Sequence, residues 1–240
     1  MTKLSVNINK VATIRNARGG NYPDVIEFAK KCYEYGAEGI TVHPRPDERH
    51  IRYEDVRLLS AIFPTKDCEF NIEGYPDPKF IELVLANKPT QVTLVPDPPS
   101  VLTSDSGWDT AAQFDFLKPI IEQFQKANIR VSLFMDTDNT LLQKAKELGT
   151  DRIEFYTGYY AHNFKINKEK AIENYIKAYQ FCQEIGLGVN AGHDLNMDNL
   201  KYFKEYLPQT LEVSIGHYLI SDCLYFGLQN VIPMYKRLLQ

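Results

Sequence analysis

The 240-residue chain is 44% hydrophobic and 24% charged, a globular composition able to bury a large core in one domain or two. Its formal charge of -4 and pI near 5.8 leave no broad basic surface for a nucleic-acid backbone, although a local phosphate pocket is compatible with them. Met1-Thr-Lys-Leu-Ser-Val-Asn lacks the apolar run of a signal peptide and no stretch approaches the roughly 20 apolar residues of a membrane span, so a cytoplasmic protein with no membrane partner is expected.

In chain order, short β-branched runs alternate with longer amphipathic segments, a pattern that implies parallel strands joined by crossover helices. Strands are predicted at residues 4–8, 39–42, 69–72, 91–95, 130–135, 152–156, 188–190 and 211–215. Helices are predicted at 23–35, 53–62, 78–86, 113–127, 140–148, 168–185, 197–206 and 220–239. Pro23 and Pro78 suit a first helical turn, whereas Gly36, Gly149 and Gly186 can supply the left-handed residue that stops a helix before the next strand. The segment 96–108 is proline-rich and too long for a minimal turn, so it is expected to be an ordered loop on the face that follows the fourth strand.

Eight such units can close into a (β/α)₈ TIM barrel without sheet edges, and one domain over residues 1–240 is the expected architecture. An open doubly wound sheet is the alternative, but neither a Gly-x-Gly-x-x-Gly turn after the first strand nor a Walker loop is present. Cys32, Cys68, Cys182 and Cys223 are scattered, form no C-x-x-C pair, and are expected to be reduced and structural.

In a parallel barrel the loops after the strands converge on one mouth, so strand ends are read together. They supply Asn7, Asn9, His43, Glu73, Asp136, Glu154, Thr157, Asn190, His193, Gly216 and His217. All five histidines, the others being His50 and His162, fall in strand-to-helix connections. Histidine titrates near neutrality and a carboxyl in a dry pocket can be raised towards it, so His43, Glu73 and His193 suit proton transfer. Each also has a plainer reading: His43 as a strand-end cap, His193 as a turn residue, Glu73 as a solvent-facing carboxylate.

Arg15-Asn-Ala-Arg-Gly-Gly, following the first strand, sets two guanidinium groups beside flexible backbone, which suits phosphate and equally describes a solvated basic loop. Ile215-Gly-His before the last helix is a second candidate phosphate grip, because small residues there expose amides at a helix N-terminus. A zinc or iron site would draw on His43, His50, Glu73, Asp136 and His193, yet no His-x-His or His-Glu-x-x-His motif is present, and no metal is expected. Lys10 is the only lysine near a strand end where a Schiff-base nucleophile would sit, and Asp136-Thr-Asp138 reads either as a magnesium pair or as a cap of the next helix.

Through Val6-Asn-Ile-Asn-Lys-Val-Ala-Thr-Ile-Arg-Asn-Ala-Arg-Gly, Gly39-Ile-Thr-Val-His-Pro-Arg, Arg49-His50, Asn71-Ile-Glu73, Ile153-Glu-Phe-Tyr-Thr-Gly, Val189-Asn-Ala-Gly-His and Ile215-Gly-His, the chain resembles the pyridoxine 5′-phosphate synthase family. The resemblance runs from first strand to last. It implies ring closure between 3-amino-2-oxopropyl phosphate and 1-deoxy-D-xylulose 5-phosphate to give pyridoxine 5′-phosphate, phosphate and water in vitamin B6 biosynthesis, without metal or organic cofactor. It implies that His43 is a proton acceptor, Glu73 a second acid/base group, His193 a proton donor and Glu154 a transition-state stabiliser. Asn7, Arg18, Asp194, Gly216 and His217 would hold the amino-ketone phosphate, and Asn9, Lys10, Arg45, His50 and Thr103 the deoxyxylulose phosphate. Many members carry Asp-His where this chain has Asn9-Lys10, and commonly Gly where it has Asp194. The resemblance further implies extra helices and a homo-octamer built from dimers, for which Tyr159, Tyr160, Tyr175, Tyr179 and Tyr225 are candidate interface aromatics.

Overall fold

Branched and aromatic side chains favour extended backbone, and each such run here leads into a segment whose apolar residues recur at helical spacing. A computed structural model describes residues 1–65, 67–96 and 106–240. Its strands are β1 (Lys3–Asn7), β2 (Gly39–Val42), β3 (Glu69–Gly74), β4 (Gln91–Leu94), β5 (Arg130–Met135), β6 (Arg152–Tyr156), β7 (Gly188–Gly192) and β8 (Glu212–Ile215). They close in sequence order into one parallel barrel, sealed where Lys3 to Val6 of β1 lie in register with Glu212 to Ile215 of β8. This is a TIM barrel.

Around it stand α1 (Asn9–Asn16), α2 (Val25–Glu34), α3 (Tyr53–Ser60), α4 (Pro78–Asn87), α5 (Phe114–Lys126), α6 (Asn139–Leu148), α7 (Gly158–Phe164), α8 (Lys168–Glu184), α9 (Leu200–Tyr206), α10 (His217–Phe226) and α11 (Leu228–Leu238). Successive strand residues point to opposite faces. Val6, Ile40, Ile72, Val92, Leu133, Phe155 and Val189 are fully buried in the apolar layer that the helices cover. Most of the alternate residues are polar, with Phe134 and three glycines among them. Ser5 and Thr41 hydrogen-bond at 2.8 Å, and Asn71 links Thr41 at 3.4 Å to Thr93 at 3.1 Å, so the inside of the barrel is a hydrogen-bonded polar ring where branched apolar layers are usual.

Asp77 caps α4 through the Phe80 amide at 2.9 Å, with Pro78 at the first helical position. Gly36, Gly149 and Gly186 take positive φ (104°, 85° and 66°) at the helix ends where glycine stops were predicted. Pro23, in contrast, precedes α2: Asp24 is the N-cap, accepting from Ile26 and Glu27 at 2.8 and 3.0 Å.

Two short helices, α1 and α7, occupy connections read from sequence as loops, and the single C-terminal helix predicted from 220 to 239 is two helices hinged at Gly227 (φ 77°, ψ 144°). α9 starts three residues later than predicted, because Asn196 and Asn199 exchange side-chain-to-backbone bonds that hold the preceding segment as a turn. The aromatic interface candidates divide. Tyr160, Tyr175 and Tyr179 are buried within the chain's own core, whereas Tyr159 and Tyr225 are 52% and 81% exposed. No disulfide links the cysteines. No helix among the described residues is long and apolar enough to cross a membrane.

Candidate active site

Asn7 closes β1, His43 follows β2 directly and Glu73 lies near the end of β3, so three adjacent strands deliver three polar side chains to one side of the mouth. Asn7 Nδ2 donates to Glu73 Oε2 at 3.3 Å, and His43 Nδ1 stands 3.9 Å from the same oxygen, beyond hydrogen-bond length. Asn9 knits the group together: its amide donates to Asn7 Oδ1 at 3.1 Å, and its own Oδ1 accepts from the His43 amide at 2.9 Å. An asparagine therefore retains the acceptor oxygen that an aspartate would offer there. The His50 ring meets His43 edge to face, centroids 6.2 Å apart.

Burial first, then the positive charges of Arg45 and Arg49, holds His43 well below the usual histidine range, so at neutral pH it is an uncharged base. Burial, with the charges of Arg45, Arg49 and Lys10, lowers His50 to about 4. Glu73 moves the other way. Burial and repulsion from Glu212 push it up to about 8, with Arg45 offsetting part of the rise, so it carries its proton at pH 7.

Glu154, inside the barrel on β6, is driven well above the carboxylate range by burial and by Glu73 and Glu212, and its Oε2 has no hydrogen-bond partner among the described residues. Its other oxygen explains Gly192: a Cβ there would lie 2.1 Å from Glu154 Oε1. Glycine on β7 makes room for the carboxyl of β6.

The opposite side of the mouth is built by β6 and β7. His193 and Asp194 both take left-handed backbone (φ 82° and 59°), which turns the chain back so that His193 Nδ1 meets Asp194 Oδ2 at 2.9 Å. Thr157 Oγ1 donates to the Gly192 carbonyl at 2.7 Å and also contacts the His193 carbonyl, pinning the turn. The Tyr156 ring packs against His193 at 5.0 Å. The His193 bond is the chief cause of a lowered Asp194 pKa, with the charges of His217 and Lys10 adding to it. The Asp194 carboxylate is thus turned onto a histidine. Gly216 packs on Asn7, where an added Cβ would sit 3.2 Å from Asn7 Cβ, and His217 opens α10.

Arg45 is buried and lines a small pocket with His43, Tyr53, Tyr75 and Asp77. Arg18 is exposed beyond α1 and joins no other site side chain by a hydrogen bond among the described residues. Arg15 departs from the phosphate-grip reading, for it is 1% exposed and paired in bidentate fashion with Asp55. Asp138 caps α6, accepting from Thr140 at 2.8 Å, and Asp136 accepts from the Gly107 amide at 2.8 Å. Lys10 is exposed and so lacks the dry setting of a Schiff-base lysine. Thr103 lies outside the described residues. Among the described residues no three His, Cys, Asp or Glu side chains converge as metal ligands. Tyr156 and Glu212 escaped the sequence reading, although the alternation Arg152, Glu154, Tyr156 already places Tyr156 on the inner face of β6.

The model of the pyridoxal phosphate biosynthesis protein PdxJ family matches residues 4–240. The chain belongs to that family. It is 54% identical over 240 residues to the pyridoxine 5′-phosphate synthase of Flavobacterium johnsoniae, covering 100% of both chains. It is 56% identical over 236 residues to that of Parabacteroides distasonis, covering 98% of each. Solved structures that share the fold include 3-hexulose-6-phosphate synthase (TM-score 0.65, 13% identity, 100% of both chains) and phosphoribosylanthranilate isomerase of Thermotoga maritima (TM-score 0.60, 14% identity, 100% of this chain and 98% of that one). At such identity these two relate by fold alone.

Proposed function

We propose that the chain forms pyridoxine 5′-phosphate from 3-amino-2-oxopropyl phosphate and 1-deoxy-D-xylulose 5-phosphate, the reaction class for which its full-length relatives are named. One arrangement carries the assignment of roles: His43 and Glu73, both buried, the first with its pKa lowered and the second with its pKa raised, stand 3.9 Å apart at the mouth of a barrel that bears His193 on its other side. Condensing an amine with a ketone needs a base to take the amine's proton and an acid to release water; eliminating phosphate and closing the ring repeat that demand. His43 accepts protons, Glu73 donates and then accepts, and His193 protonates a leaving oxygen. Protonated Glu154 donates a hydrogen bond to charge that develops deeper in the barrel, where a low dielectric makes such a bond strong.

Two phosphates need two grips. Asn7, Arg18, the Asp194 backbone, Gly216 and His217 serve the amino ketone. Asn9, Lys10, Arg45, His50 and Thr103 serve the sugar phosphate, Lys10 supplying its positive charge from α1. The enzyme acts in the cytoplasm as a homo-octamer assembled from dimers and needs neither metal nor organic cofactor. Incubating the protein with the two phosphates tests this directly. The expected result is growth of a pyridine absorbance band with release of inorganic phosphate, and its absence under conditions where the fold is intact would refute the proposal.

A further inference from the structure

Arg15 and Asn16 end α1 on the side facing the connection between β2 and α3, the segment that carries Arg45, Arg49 and His50. Asn16 Nδ2 reaches three successive carbonyls of that segment, Glu48 at 3.3 Å, Arg49 at 3.2 Å and His50 at 2.8 Å. Arg15 adds a bond to the same His50 carbonyl at 3.1 Å, and its other donors hold Asp55 at 2.6 and 2.8 Å and Asn16 Oδ1 at 3.0 Å. Asp55 in turn accepts the Arg52 amide at 2.7 Å, and the Arg52 guanidinium returns to Asn16 Oδ1 at 2.8 Å. Glu48 sits at φ 50°, so the segment adopts a backbone that needs outside support.

Such bonding fixes more than a loop path. The Ile51 amide donates to His50 Nδ1 at 2.9 Å, which makes Nδ1 the acceptor and leaves the ring proton of neutral His50 on Nε2. A ring held in one tautomer and one orientation presents a single N–H donor to an anion.

We infer that Arg15, Asn16 and Asp55 are positioning residues that hold the 48–52 segment in the one shape that presents His50 Nε2–H to the sugar phosphate. The inference rests on the substrate assignment above. It replaces direct phosphate contact by Arg15 with action at one remove: the buried guanidinium never touches the ligand.

Asn16→Ala removes the carbonyl bonds and the acceptor of Arg15 Nε and Arg52 but leaves the Arg15–Asp55 pair in place, and Arg15→Lys keeps charge while losing the fork that grips Asp55. Losing the hydrogen bonds that Asn16 makes to this binding segment predicts that KM for the deoxyxylulose phosphate rises about tenfold in Asn16→Ala. KM for the amino-ketone phosphate is expected to stay within about twofold and kcat within about threefold, since uniform binding of one substrate is what weakens. Equal rises in both KM values, or none, with an active wild type would overturn the clamp. Hydrogen exchange is the arm that does not depend on turnover: amides 49–52 exchange faster in both variants if the clamp exists, and unchanged protection refutes it even if the substrate assignment itself fails.

Discussion

The pKa values of Glu73 and His43 move in opposite directions side by side, and both shifts arise chiefly from burial, which penalises whichever form is charged. A consequence for stability follows. With its folded-state value raised to about 8 against an ordinary 4.5, Glu73 binds its proton more tightly in the folded than in the unfolded chain. Stability from this source is complete below pH 4.5 and is lost as pH rises through 8. Glu73→Gln, which cannot ionise, is expected to flatten the fall in Tm between pH 5 and pH 8.5; calorimetry showing an unaltered slope would remove Glu73 as its source. In turnover assays, Glu73→Ala and His193→Ala are each expected to lower product formation by at least about a hundredfold, the usual scale for a lost general acid or base.

The residue types of the proposed chemistry were legible at strand ends; that Asn7, His43 and Glu73 lie together while His193 stands on the other side of the mouth was not. Arg15 was not legible. An arginine beside two glycines looks the same in sequence whether it faces ligand or core, and only the bidentate contact with Asp55, 40 residues away, shows which it faces. Asn9 and Asp194 are similarly explained by contacts: one supports the His43 amide, the other turns onto His193.

β6 and β7 approach closely at Gly192. Because a Cβ on Gly192 would overlap Glu154 Oε1, Gly192→Ala must displace the carboxyl or the strand, with overpacking that costs about 1–3 kcal/mol. Activity is expected to fall at least tenfold with a Tm loss of a few degrees. Adding Glu154→Ala should restore the Tm and leave activity low; a double variant no more stable than Gly192→Ala alone would show that the two positions do not couple.

Long amphipathic helices such as α8, which buries Ala171, Ile172, Tyr175, Ala178, Tyr179 and Cys182 at helical intervals, were readable from periodicity. α1 and α7, of eight and seven residues, were not. Two turns hold too few apolar residues to set a period, and such helices owe their stability to what they pack against. The Gly227 hinge was hidden for a related reason: apolar spacing resumes after it, so the break appears only in the backbone.

At the scale of the whole molecule, closure of the sheet brings residues 7, 43, 73, 154, 193 and 217 to one mouth and leaves a polar ring beneath them. Since the proposed chemistry uses only side-chain acids and bases, turnover in excess chelator is expected to equal turnover without it, and loss restored by zinc, iron or manganese would favour a metal-dependent barrel enzyme. Leu224, Tyr225 and Phe226, 73%, 81% and 52% exposed at the end of α10, are apolar surface that assembly can cover. Light scattering is expected to give about eight times the 27.6 kDa chain mass.

Composition and the order of apolar runs by themselves determined a βα repeat, its eight strands, and the residue types at their ends, because backbone preference and periodicity are local properties. Tertiary structure alone decided that burial raises the pKa values of Glu73 and Glu154 and lowers that of His43. It also decided that Gly192 exists to admit a carboxyl and that Arg15 supports a loop. Burial and charge-to-charge distance set each of those outcomes, and both are created only when strands distant in sequence close around a common axis.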